Sequence, residues 1–144
     1  MKARCALSTA CTAVTFRRPS EVAVPPVNIL VVDDDTELCT MLSRFLEMNG
    51  YTVYSASDVL QALDILERNQ VGMVITDYLM PHVDGIRFTE MLKADPRFQA
   101  IPVLLMTAST DSSVTDRGLR KGVALTLYKP LDMGQLLNLV RFAE

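Results

Sequence analysis

The stretch Asn28-Ile-Leu-Val-Val-Asp-Asp-Asp35 sets four consecutive apolar residues directly against three carboxylates. A half-exposed strand alternates apolar and polar positions, so an unbroken apolar run of this length reads as a strand, Asn28 to Asp33, buried on both faces. A segment with Leu38, Leu42, Phe45 and Leu46 at helical spacing follows. It opens on Asp34 or Asp35 as a cap and stops at Asn49-Gly50. The same alternation then repeats to the end of the chain. Strands are expected over Tyr51–Ser55, Val71–Asp77, Ile101–Met106 and Val123–Tyr128. Between them lie a helix capped by Ser57 that carries Val59, Ala62, Leu63 and Leu66, and a helix after Pro81 and Gly85 running through Met91 and Leu92. A weaker helix over Ser112–Lys121 stops at Gly122, with Val114 and Leu119 as anchors. The last helix starts near Asp132 and carries Met133, Leu136, Leu137 and Val140. Five βα units with near-continuous apolar strands predict an α/β fold, a doubly wound parallel sheet with helices on both faces.

At 144 residues and 16.0 kDa the chain holds one domain with a sizeable core. Hydrophobic residues at 49% and charged residues at 22% give the balance of a soluble globular protein. The apolar runs Ile29–Val32 and Val103–Met106 fall far short of the ~20 residues of a membrane helix. Net charge −3 and a pI near 5.1 argue against a nucleic-acid surface. Cys5, Cys11 and Cys39 are odd in number and lack metal-ligand spacing, which fits reduced thiols and a cytoplasmic location. Charge is uneven along the chain. Residues 1–26 carry Lys2, Arg4, Arg17 and Arg18 against Glu21 alone, and the ten basic and sixteen acidic residues that remain make the rest strongly acidic. The segment 1–26 ends in Pro25-Pro26 and shows no period. It reads as a disordered basic extension outside the fold, or a start codon placed too early. A transit peptide shares its composition, and a secretory signal fits less well because Ser8, Thr9, Thr12 and Thr15 interrupt the apolar stretch. The folded domain is expected over 27–144.

In a doubly wound sheet the carboxyl ends of the strands meet at one rim, where ligands bind. The first strand delivers Asp33-Asp34-Asp35 there, the third Asp77, the fourth Thr107 and the fifth Lys129-Pro130. Clustered carboxylates favour a hard divalent cation, and Mg²⁺ is commonly held by one or two carboxylates and a phosphate. A carboxylate nucleophile, a metal, an ammonium and a hydroxyl at one rim suit phosphoryl transfer to Asp77. Other polar residues have plainer readings. Asp35 and Asp84 read as helix caps, His82 as a solvated loop residue, and Cys39 as a small packing residue at the edge of a helix stripe.

Four stretches, Ile29-Leu-Val-Val-Asp-Asp34, Ile75-Thr-Asp-Tyr-Leu-Met-Pro81 with Asp84-Gly85, Pro102-Val-Leu-Leu-Met-Thr-Ala108 and Tyr128-Lys-Pro130, follow one another in the order and spacing of the response-regulator receiver domain of two-component signalling. Residues 28–143 resemble that family. The resemblance implies a flavodoxin-like strand order 2-1-3-4-5 and phosphorylation on Asp77. It implies Mg²⁺ held at Asp33, Asp34, Asp77 and the backbone carbonyl of Leu79, with Thr107 bonding the phosphoryl oxygen and Lys129 as the family's lysine. The Lys129-Pro130 peptide falls where the family has a cis bond. A sensor histidine kinase or histidine phosphotransfer protein is the expected donor, since the chain has no ATP-binding unit, and a downstream protein is the expected target. Because the chain ends near the close of the last helix, a stand-alone receiver is expected, not an enzyme in its own right. One position departs from the family. The aromatic residue common three places before the lysine is replaced by Thr126, and Tyr128 is the nearest ring on that face of the strand.

Two other functions compete. A phosphatase of the haloacid-dehalogenase type would use Asp33 and Asp35, but Glu37 stands where its pattern needs threonine, and no late acidic metal motif follows. A phosphorylation-independent interaction module on the same fold is disfavoured because each site position is filled. Dinucleotide and P-loop binding fail for want of their glycine motifs.

Overall fold

The computed structural model describes residues 27–143. The segment 1–26, and with it the expectation of a disordered extension, lies outside the described residues. Five strands alternate with five helices: β1 Asn28–Val32, α1 Thr36–Met48, β2 Thr52–Ala56, α2 Val59–Arg68, β3 Met73–Asp77, α3 Gly85–Lys93, β4 Val103–Thr107, α4 Ser112–Lys121, β5 Leu125–Tyr128 and α5 Met133–Ala143. All the strand pairs are parallel, in the order β2-β1-β3-β4-β5. The expected order 2-1-3-4-5 is therefore the observed one.

The apolar run of β1 divides between two cores because successive side chains point to opposite faces. Ile29 and Val31 pack with Leu42 and Leu46 of α1 and Leu136 and Val140 of α5. Leu30 and Val32 pack with Ala62 and Leu66 of α2 and Phe88 and Leu92 of α3. A smaller cluster of Ile86, Leu105, Val114 and Val123 lies on the α3 and α4 side. Both faces of the central strands are thus covered, and β3 and β4 are buried throughout.

Several local expectations are corrected. Of the two candidate caps for α1, Asp35 is the one used: its side chain accepts from the amides of Glu37 and Leu38. Helix α2 is capped by Asp58, not Ser57. The Asp58 carboxylate accepts from the Gln61 amide, while Ser57 donates its own amide and hydroxyl to Gln61 Oε1. Two cap-competent residues stand side by side there, and the carboxylate takes the position. Strand β1 ends at Val32, and β2 starts and ends one residue later than expected. Strands β3, β4 and β5 each begin two residues later than their apolar runs. Val123 is buried, and Val71 and Ile101 pack partly buried against the core, all three from loops before the ladder begins. Met91 and Leu119 are not core residues, being 37% and 54% exposed. On α3 the buried face is Ile86, Phe88, Thr89 and Leu92. On α4 it is Val114 and Gly118, and a Cβ at Gly118 would lie 3.3 Å from the Val123 side chain, so glycine lets the helix sit close. As expected, α4 stops at Gly122, which takes a left-handed φ of 107°.

Candidate functional site at the strand ends

Asp33 follows β1, Asp77 closes β3, Thr107 closes β4 and Lys129 follows β5. Parallel pairing alone brings these four to one rim. The Lys129 Nζ lies 3.0 Å from Asp77 Oδ1 and 3.1 Å from Asp33 Oδ2, so one ammonium bridges two carboxylates. Asp33 is 1% exposed and Asp77 8% exposed. The second oxygen of Asp33 accepts from the Asp35 amide at 2.9 Å. Carboxylate oxygens of Asp33, Asp34 and Asp77 all come within 4.8 Å of one another, and Asp34 is exposed. Leu79, two residues beyond Asp77, exposes its side chain to solvent. Thr107 is buried, and its Oγ1 accepts from the Ser109 amide at 2.9 Å, leaving its proton uncommitted by that bond. The Lys129-Pro130 peptide is cis.

Burial pushes the Asp77 carboxyl above the usual carboxylate range and the nearby Asp33 charge adds to the shift, while the bond from Lys129 partly offsets both. Burial alone would depress the Lys129 ammonium. Its hydrogen bonds to Asp77 and Asp33 outweigh that and hold it above its ordinary value, so it stays protonated. Three carboxylates against one ammonium leave the rim with excess negative charge, and every donor atom is a hard oxygen. That combination suits a small divalent cation.

Four supporting residues were missed from sequence or read only as packing or loop positions. Cys39 is buried, and its Sγ donates to the Asp33 carbonyl at 3.2 Å, tying α1 to the end of β1. Burial, with the Asp33 charge, pushes its thiol up to about 11. Gly85 opens α3 against the main chain of Asp77. Its amide donates to the Tyr78 carbonyl at 2.7 Å, and a Cβ there would collide with the Asp77 carbonyl oxygen. The Arg117 Nη2 of α4 donates to the Tyr78 hydroxyl at 2.7 Å. The last two partners stand 39 residues apart, and no short-range pattern links them. Asp35 and Asp84 act as caps, as their positions suggested, and His82 is exposed in the loop with a left-handed φ of 72°.

A five-stranded parallel sheet in this order, with this acidic rim and bridging lysine, defines a class of signalling domain. The chain belongs to the response regulator receiver domain family, whose model matches residues 29–141. It is 35% identical over 117 residues to the response regulator Rre1 of Synechocystis, covering 81% of this chain and 51% of that protein. It is 40% identical over 111 residues to the transcriptional regulatory protein ZraR of Klebsiella oxytoca, covering 76% of this chain and 24% of that protein. The chain thus spans about half or less of the length of these curated relatives. Among solved structures, a response regulator receiver protein of Pseudomonas putida superposes with a TM-score of 0.78 at 30% identity, over 84% of this chain and 99% of that one. A chemotaxis response regulator of Vibrio cholerae gives 0.77 at 26% identity, over 82% and 98%. No helix among the described residues is long and apolar enough to cross a membrane.

Proposed function

We propose that Asp77 accepts a phosphoryl group from a phosphohistidine on a partner protein, and that the phosphorylated domain passes the signal on through protein contacts. The observation that carries this reading is the Lys129 ammonium, 3.0 Å from Asp77 Oδ1 and 3.1 Å from Asp33 Oδ2 at a rim with one further carboxylate, Asp34. The Asp77 oxygen attacks phosphorus, the P–O bond forms as the P–N bond breaks, and the departing histidine nitrogen keeps or takes up a proton from solvent. No general base is needed, because the nucleophile is an ionised carboxylate. Lys129 neutralises charge on the transferring oxygens, and Thr107 donates its hydroxyl to one of them. Asp33, Asp34 and Asp77, with the Leu79 carbonyl, would hold Mg²⁺, which supplies further charge neutralisation when bound. The exposure of Asp34 suits an ion that keeps several waters.

The outer face of α1 supports a protein as donor. Exposed Met41 and Met48 flank Phe45 and Arg44, and this groove starts at Thr36, three residues from Asp33. A partner seated there would lie beside the acceptor.

Incubation with acetyl phosphate and Mg²⁺, followed by intact mass measurement, tests the assignment. One added phosphoryl group is expected on the wild type and none on Asp77→Asn. Uptake by Asp77→Asn equal to wild type would remove Asp77 as the acceptor.

A further inference from the structure

The two tyrosines beside the reactive pair both end on α4. Tyr78 directly follows Asp77, and Tyr128 directly precedes Lys129. The Tyr78 hydroxyl accepts from Arg117 at 2.7 Å, with the guanidinium 5.9 Å from the ring centre. The Tyr128 hydroxyl shares a 2.7 Å hydrogen bond with the Thr115 hydroxyl. Thr115 and Arg117 are two residues apart on one helix, so the hydroxyls grip α4 from the two strand ends that carry the Asp77–Lys129 ion pair.

We propose that Tyr78 and Tyr128 act as paired latches through which the state of the Asp77–Lys129 pair sets the position of α4. This deepens the acceptor reading above and rests on it. The main chain of each tyrosine is tied to that of its reactive neighbour. The Tyr78 amide donates to the Met106 carbonyl at 2.7 Å and its carbonyl accepts from Gly85 at 2.7 Å, so a shift of the Asp77 backbone carries the ring with it. Tyr128 pairs with Thr107 across the sheet, and the Lys129 amide donates to the Thr107 carbonyl at 2.8 Å. Adding charge and bulk at Asp77 changes the partner of Lys129 and draws on Thr107, and both movements reach the base of a latch.

The helix is seated lightly enough to respond. Its buried residues are Val114 and Gly118, and Leu119 is exposed. A helix with few apolar contacts depends more on its polar ties. Thr126 of β5 buries an Oγ1 that has no hydrogen-bond partner among the described residues, so it adds no polar tie to the helix. Each latch is an exposed hydrogen bond, which biases a two-state equilibrium only a few-fold and is therefore reversible. Coupling of this kind is reciprocal: whatever holds α4 also biases the acceptor site.

The test uses Tyr78→Phe and Tyr128→Phe, singly and together, which remove one oxygen each and keep the rings. Arg117→Gln and Thr115→Val reach the same bonds from the helix. Amide hydrogen exchange and ¹⁵N shifts of α4 are read in the free protein and after adding beryllofluoride with Mg²⁺. In the free double variant, exchange at Val114 and Gly118 is expected to rise about three- to tenfold over wild type. With beryllofluoride, the wild-type shifts along α4 are expected to collapse in the double variant while those around Asp77 persist. Wild-type exchange and an undiminished α4 response in the double variant would overturn the latches. Absence of any beryllofluoride response around Asp77 in the wild type would count against the acceptor reading instead, and the exchange measurement on the free protein would still decide whether the hydroxyls hold α4.

Discussion

Replacing Gly85 with alanine tests how closely α3 is fitted to the acceptor strand. The added Cβ would strike the Asp77 carbonyl oxygen and lie 2.8 Å from Leu105 Cδ1 and 3.1 Å from the Asp77 carbonyl carbon. The leucine methyl can rotate away. The Asp77 carbonyl is held more firmly, because Asp77 pairs with Met106 of β4 and the 2.7 Å bond from the Tyr78 amide to the Met106 carbonyl anchors the same peptide to that strand. The first turn of α3 must move outward, stretching the 2.7 Å bond from the Gly85 amide to the Tyr78 carbonyl. Overpacking of this kind costs about 1–3 kcal/mol, and weakening one hydrogen bond about 1 kcal/mol. Alanine's better helix propensity returns at most ~1 kcal/mol. The net loss is about 2 kcal/mol, which for a domain of this size lowers Tm by roughly 8 °C. Circular dichroism melts of Gly85→Ala and wild type measure it. Gly134→Ala on α5 is the matched control, since its Cβ meets only an Asp132 side-chain oxygen at 3.3 Å, and it should be neutral or stabilising. A Gly85→Ala melting point within 2 °C of wild type would refute the fitted contact.

Three further outcomes are expected. Without metal, Asp77→Asn should be more stable than wild type at neutral pH. The folded state holds the Asp77 carboxyl above its ordinary 3.8, so wild-type stability falls as pH rises from there through the raised value, and the gap between the two proteins should narrow as pH falls and be smallest below 3.8 in pH-dependent denaturant titrations. Cys39, buried with its thiol at about 11, should resist alkylation at pH 8 in the folded protein and react after denaturation, as read by peptide mass spectrometry; rapid native labelling would contradict its burial. A chain beginning at Val27 should fold and take up phosphate from acetyl phosphate like the full chain, because every site residue lies beyond it; folding with loss of uptake would give residues 1–26 a part in the reaction.

Sequence alone determined the alternation of five strands and five helices, because hydrophobic period is a local property and burial on both faces leaves unbroken apolar runs such as Ile29–Val32. It also placed Asp33, Asp77, Thr107 and Lys129 at strand ends, and a parallel sheet has one carboxyl rim for them to share. Which neighbouring side chain caps a helix was less legible. Ser57 and Asp58 are both competent, and the geometry of the turn selected Asp58. Leu119 shows that an apolar side chain is not by itself an anchor: it stands five residues after Val114, off the helical period, and the helix turns Gly118 toward Val123 and leaves Leu119 to solvent. The 3.0 and 3.1 Å reach of Lys129, the thiol of Cys39 on the Asp33 carbonyl and the grip of Tyr78 on Arg117 were decided only by tertiary structure. The lysine and tyrosine contacts join side chains from separate βα units, and the thiol contact spans the turn from β1 into α1. Their distances are set by how the helices settle on the sheet, which no local pattern of residues encodes.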